Sequence, residues 1–119
     1  MSPHEIINEV SDQYHMDTAK VLSPCRTAHV SLVRMIGMFV LRTRAKMTFP
    51  AIGKIMGRDH STVVHAVNVI AARVAKEPQF GRQIAKVVAR IAVKDHEGDG
   101  NGLSDWPGTP VEVAAEDAL

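Results

Sequence analysis

The chain holds a single cysteine, Cys25, among its 119 residues, so it closes no internal disulfide and builds no zinc site from thiolates. Aromatic residues make up only 4% of it, which obliges any core to be mainly aliphatic. No apolar run is long enough to cross a bilayer, and the first residues lack a signal-peptide arrangement, so a cytoplasmic protein is expected. No G-x-x-x-x-G-K-[ST] string exists to cradle a nucleoside phosphate. Asp59, His60 and Ser61 are the residue types of a hydrolase triad, but they are consecutive, and a triad needs side chains that converge in space. His60 and His65 are five apart, whereas a helical zinc pair needs i, i+4. No enzyme activity, cofactor or metal is expected.

What is present is a marked asymmetry of charge. All fourteen Lys and Arg lie at or before Lys94, where only six acids stand against them, giving residues 1–94 a charge of +8. Residues 95–119 carry seven acids and no Lys or Arg, −7, and the two parts together recover the net +1. A basic body followed by an acidic extension is the distribution expected of a protein that binds a polyanion.

The hydrophobic pattern is helical from end to end of the basic part. Ser2, Pro3 and Glu5 form a capping box ahead of Ile6, Ile7, Val10 and Tyr14. A short helix is expected near Asp17 to Leu22, then a longer one over about Val30 to Ala45, with Val30, Val33, Ile36, Gly37, Val40 and Leu41 as its core stripe. Thr48 caps a fourth, short helix with Pro50 in its first turn and Ile52, Ile55 and Met56 on its apolar side. Gly57 supplies the left-handed stop, and Asp59 caps the next helix, whose buried side is Val63, Val67, Ile70 and Val74. Pro78 ends it, and a last helix follows over about Gln79 to Lys94, with Arg82, Lys86 and Arg90 as a solvated row.

The segment Thr48 to Lys76 thus reads as two helices joined by a tight turn, the second opening on Arg58, Asp59, His60, Ser61 and Thr62 with no bulky apolar residue among them. This is the layout of a helix-turn-helix, in which the first helix braces and the second enters the major groove by its N-terminal end. An ordinary helical hairpin with a polar cap is the alternative on pattern alone. The fold expected is all-α: a compact domain of five to six helices over residues 1–94, with 95–119 a disordered acidic tail rich in Gly and Pro.

The wording of the turn is more specific than its pattern. MGRDHSTVVHAV, preceded by FPAIG, closely resembles the signature of the C-terminal DNA-binding domain of the DnaA family, the bacterial chromosomal replication initiators. Upstream, VSDQYHMDTAKVLSPCRTAHVSLVRMIGMFVLRTRAKMTFPAIG tracks that domain's remaining helices and basic loop, so the resemblance covers roughly residues 3 to 93. It implies double-stranded DNA as the partner, at short A/T-rich boxes, and a role in regulating replication initiation. Base-edge reading falls to Asp59, His60, Ser61 and Thr62, and minor-groove contact to Arg26 on the loop before the long helix. Arg34 and Arg42 are the expected phosphate contacts of that helix, and Pro50, Lys54 and Arg58 lie where the family meets the DNA backbone.

Three departures from the family are visible. Pro24, Cys25 and His29 make the loop less basic than usual, Ser61 replaces a common threonine, and the turn is one residue shorter, with one glycine before the arginine. The resemblance reaches the DNA-reading end only, so DNA melting driven by ATP is not expected. Transcriptional regulation is an alternative role, and so is a helical adaptor acting through its tail. Trp106 is the lone aromatic of that tail, which either competes with DNA for the basic face, recruits another protein such as the initiator machinery, or simply solubilises.

Overall fold

The computed structural model describes residues 2–95, apart from the side chains of 94 and 95. Six helices account for them: α1 (Pro3–Gln13), α2 (Thr18–Leu22), α3 (Ala28–Thr43), α4 (Phe49–Met56), α5 (His60–Lys76) and α6 (Pro78–Asp95). No strand occurs among the described residues. Asp95, expected to open the tail, is the last residue of α6; the rest of the acidic segment, Trp106 included, lies outside the described residues.

Local chemistry sets the helix boundaries. At α1 the Ser2 hydroxyl accepts from the Glu5 N–H at 3.2 Å while the Ser2 N–H donates to the Glu5 carboxylate at 2.8 Å, the reciprocal pair of a capping box. Asp17 caps α2, accepting from Ala19 N–H at 3.3 Å, and Thr48 caps α4, accepting from Ala51 N–H at 3.3 Å. Gly57 ends α4 with φ +69°, a left-handed conformation that costs a residue with a Cβ about 1 kcal/mol or more. α3 begins two residues earlier than the apolar stripe suggested, because Thr27 is already extended and its carbonyl accepts from Ser31 at 2.9 Å.

α3 is the axis of the molecule, in contact with α1, α2, α4 and α5. Val33, Ile36, Val40 and Leu41 are fully buried, as expected, but so are Met38 and Phe39, which a single stripe had left outside. A helix with neighbours on several sides is buried around most of its circumference, so a position off the main stripe is not thereby in water. Ile7 and Val10 of α1, Ile52 and Met56 of α4, Val63 and Ile70 of α5, and Ile84 and Ile91 of α6 complete one continuous aliphatic core. Phe39 is its largest fully buried side chain.

Two features hold α6 in place. The buried Glu9 of α1 takes Arg90 of α6 at 3.5 Å and Gln13 at 3.0 Å, so this member of the expected solvated row has a protein partner. At the α5–α6 corner the Arg73 guanidinium lies 4.2 Å over the Phe80 ring and pairs with Glu77 at 3.3 Å.

Candidate nucleic-acid interface

α4 and α5 meet at a very short turn, and the approach is close. A Cβ built on Gly53 would lie 2.5 Å from the Arg58 carbonyl oxygen, and the Gly53 carbonyl accepts from the Arg58 N–H at 2.9 Å. The turn is therefore pressed against the α4 backbone, which fixes where α5 starts.

The start of α5 faces solvent. Asp59, His60, Ser61 and Thr62 are all exposed, whereas Val63, Ala66, Val67 and Ile70 behind them are buried. Asp59 caps the helix through one oxygen: Oδ2 accepts from the Ser61 N–H at 3.0 Å and from the Ser61 hydroxyl. Those two bonds, hydroxyl first, hold the Asp59 carboxyl below its usual pKa, so it is ionised at neutral pH. Capping leaves Oδ1 without a bond from the described residues. Because the Ser61 hydroxyl donates to Asp59, it offers only lone pairs outward, suited to an amino group on a base edge.

The flanking cations divide into two kinds. Arg26 is exposed on the loop between α2 and α3, and Lys54 is exposed on α4. Arg42 is exposed at the end of α3, where its guanidinium lies 4.2 Å over the Phe49 ring and donates to the Met47 carbonyl at 3.0 Å. Pro50, also exposed, is the next residue, so Arg42 and Pro50 share one edge of the molecule.

Arg34 is the correction. Expected at the surface as a phosphate contact, it is 7% exposed. Its Nε donates to the Val21 carbonyl at 2.8 Å, and its Nη2 to the Ser23 and Cys25 carbonyls at 2.7 and 2.9 Å. These carbonyls belong to the end of α2 and the loop after it, where helical geometry leaves acceptors without partners. Burial, and after it the charge of Arg58, lower the Arg34 pKa from its ordinary value. Arg34 is a brace for the loop that carries Arg26.

Arg58 is half-buried and similarly occupied. Its Nη1 donates to the Met56 carbonyl at 3.0 Å and its Nη2 to the Ser23 carbonyl at 2.9 Å. The Ser23 carbonyl thus accepts from two arginines. Nothing in the sequence flags Ser23 for this role, because the acceptor is a main-chain oxygen that every residue possesses. Nor does the sequence flag Phe49 as the platform under Arg42.

No cluster of His, Cys, Asp or Glu among the described residues could hold a metal ion, and no described helix is long and apolar enough to cross a membrane. What the geometry offers is a capped helix end, exposed and polar, with cations to either side. The sequence profile described as the bacterial dnaA protein helix-turn-helix matches residues 3–70, more than half of the chain. The chain belongs to that family. It is similar to the chromosomal replication initiator protein DnaA of Lachnoclostridium phytofermentans, 33% identical over 87 residues, which are 72% of this chain and 19% of that protein. The DnaA of Mycoplasma pneumoniae is 36% identical over 86 residues, 72% of this chain and 20% of its own. The DnaA of Bifidobacterium animalis subsp. lactis is 30% identical over 100 residues, 83% of this chain and 17% of its own. The chain therefore spans about a fifth of the length of the curated DnaA proteins it matches. The matched profile stops within α5, so α6 rests on the pairwise similarity alone.

Proposed function

We propose that this protein is a non-enzymatic reader of double-stranded DNA, acting on the nucleoid in the cytoplasm. It recognises short A/T-rich boxes of the DnaA type and regulates the initiation of replication. The observation that carries this reading is the exposed run Asp59 to Thr62 at the capped N-terminus of α5 in a DnaA-family helix-turn-helix. In the proposed complex that end lies in the major groove, with Asp59, His60, Ser61 and Thr62 at base edges. Arg26 reaches the adjacent minor groove, where narrow A/T-rich DNA concentrates negative potential. Arg42, Pro50 and Lys54 lie along the sugar-phosphate backbone and set the register.

The test is a salt series of binding to box-bearing and scrambled duplexes. A reader prefers the box and loses affinity steeply with salt. Equal and salt-insensitive affinity for both duplexes refutes the proposal and leaves the adaptor role. Footprinting across the host genome then separates the two regulatory roles: occupancy at the replication origin supports replication control, and occupancy confined to promoters supports transcriptional control.

A further inference from the structure

Arg58 and Arg34 are both drawn to one atom, the Ser23 carbonyl oxygen, at 2.9 and 2.7 Å. A carbonyl has two lone pairs, and here each takes a guanidinium N–H. The other bonds of the two arginines point in different directions. Arg34 also holds Val21 and Cys25, and so fastens the loop to α3. Arg58 also holds Met56, at the end of α4, and so fastens the same loop to the turn of the helix-turn-helix. Between Ser23 and Arg58 the chain runs through 35 positions, by way of all of α3 and α4. The shared carbonyl closes that circuit directly.

The two ends of the circuit are the two places where base information would be read. Arg26 is three residues beyond Ser23, a reach of at most about 11 Å along extended chain. Asp59 and His60 follow Arg58 immediately. We propose that Arg58 is a positioning residue that fixes the minor-groove loop at one distance from the recognition helix. It thereby ties A/T preference at the Arg26 end of the site to a single spacing from the bases read by α5. This rests on the DNA-reading function proposed above and changes the role of Arg58 within it from a backbone contact to a spacer. A phosphate contact would present its terminal nitrogens outward. Here both terminal nitrogens of Arg58 are engaged by protein carbonyls, and the residue is half-buried. With the brace intact, the loop has one register on the duplex. With it loosened, Arg26 samples several base steps and its preference averages out.

Arg58→Lys separates the two roles. Lysine keeps the charge and serves well against a phosphate, but one ammonium does not reproduce a planar fork with two nitrogens at fixed separation. Two measurements decide. In the free protein, 15N relaxation reports the order of the Cys25, Arg26 and Thr27 amides. On DNA, selection from a randomised duplex library gives base preference position by position, with Arg26→Ala and His60→Ala marking which positions belong to the loop and which to α5. The expected result for Arg58→Lys is a less ordered loop and a loss of roughly fivefold in A/T discrimination at the Arg26 positions, the order of one net hydrogen bond. Preference at the His60 positions and the salt slope stay at the parent's values. An unchanged loop with unchanged preference at both ends, the result of a phosphate contact that lysine also makes, overturns the inference, as does an equal loss at both ends. If the parent itself shows no base preference, the function proposed above fails, and the relaxation measurement alone decides whether Arg58 holds the loop.

Discussion

Replacing Arg34 by methionine discriminates sharply between a brace and a DNA contact. Methionine has nearly the stem of arginine and fills the same channel, so the loss is confined to the guanidinium. That group donates to three carbonyls at 2.7–2.9 Å, from a side chain 7% exposed. Ser23 keeps a donor from Arg58, leaving the Val21 and Cys25 carbonyls without one. At about 1–3 kcal/mol for each acceptor stranded in a buried setting, and less for the partly accessible Cys25, the cost comes to roughly 2–4 kcal/mol. For a folded unit of this size that lowers the melting temperature by on the order of 10–20 °C. Differential scanning calorimetry or urea denaturation of the free protein measures it. A surface phosphate contact behaves in the opposite way: stability moves by less than about 0.5 kcal/mol, and the slope of log K against log salt shrinks by about one. The slope of the parent protein carries the same information. If Arg26, Arg34, Arg42, Lys54 and Arg58 all neutralised phosphates, it would be near −4.5. With Arg34 and Arg58 occupied by carbonyls, the remaining three give about −2.7. A variant that melts with the parent and loses slope refutes the structural role of Arg34.

Three other substitutions test the α5 end. His60→Ala is expected to cost on the order of 1–3 kcal/mol on the preferred site and to relax discrimination at its own base contact, measured by fluorescence anisotropy against a panel of single-base variants. Asp59→Asn separates capping from reading: asparagine caps as well as aspartate, so stability at pH 7 stays close to the parent's, while preference at the base facing Oδ1 changes. The folded-state pKa of Asp59 is depressed, so its capping contribution is complete above about pH 4, the unfolded value. That contribution is lost as pH falls through the folded value, and Asp59→Asn removes this part of the acid dependence. Gly53→Ala puts a methyl 2.5 Å from the Arg58 carbonyl, so the turn must move; a loss of about 1–3 kcal/mol in urea denaturation and weaker binding to the box are expected together.

Much of this architecture was legible in the sequence, because its determinants are local. Ser2 with Glu5, Thr48, Gly57 and Asp59 each act within a few residues of themselves, and each does in the structure what its type and spacing imply. The buried face of α5 was legible for the same reason, since one flank of that helix meets the core and the other meets water. α3 was not read correctly, because periodicity reports one apolar face and α3 has several neighbours. The burial of Met38, Phe39 and Arg34 therefore does not follow from its stripe. The brace at Ser23 was out of reach for a different reason: a main-chain carbonyl has no signature in the residue that bears it, and its two donors come from α3 and from the α4–α5 turn.

The contrast between Arg34 and Arg42 shows what decides the fate of a cation on this scaffold. They are eight positions apart on one helix, about 12 Å along its axis and some 80° around it, close enough in azimuth for sequence periodicity to treat them alike. What differs is the structure opposite each. Arg34 faces the end of α2, a helix of five residues, where Ser23 serves the Lys20 carbonyl and the guanidinium serves the Val21, Ser23 and Cys25 carbonyls. A guanidinium with several donors in a fixed fork satisfies these acceptors in a way that a single ammonium does not. Arg42 faces the start of α4, where it finds a single carbonyl, that of Met47, and the face of the Phe49 ring, so it stacks and remains exposed. Both flanks of the recognition helix therefore hang from arginines of α3. One is turned inward to hold the Arg26 loop, and the other is turned outward beside Pro50. Charge counted along the sequence overstates the free positive surface, because Arg34 and Arg58 hold the protein to itself.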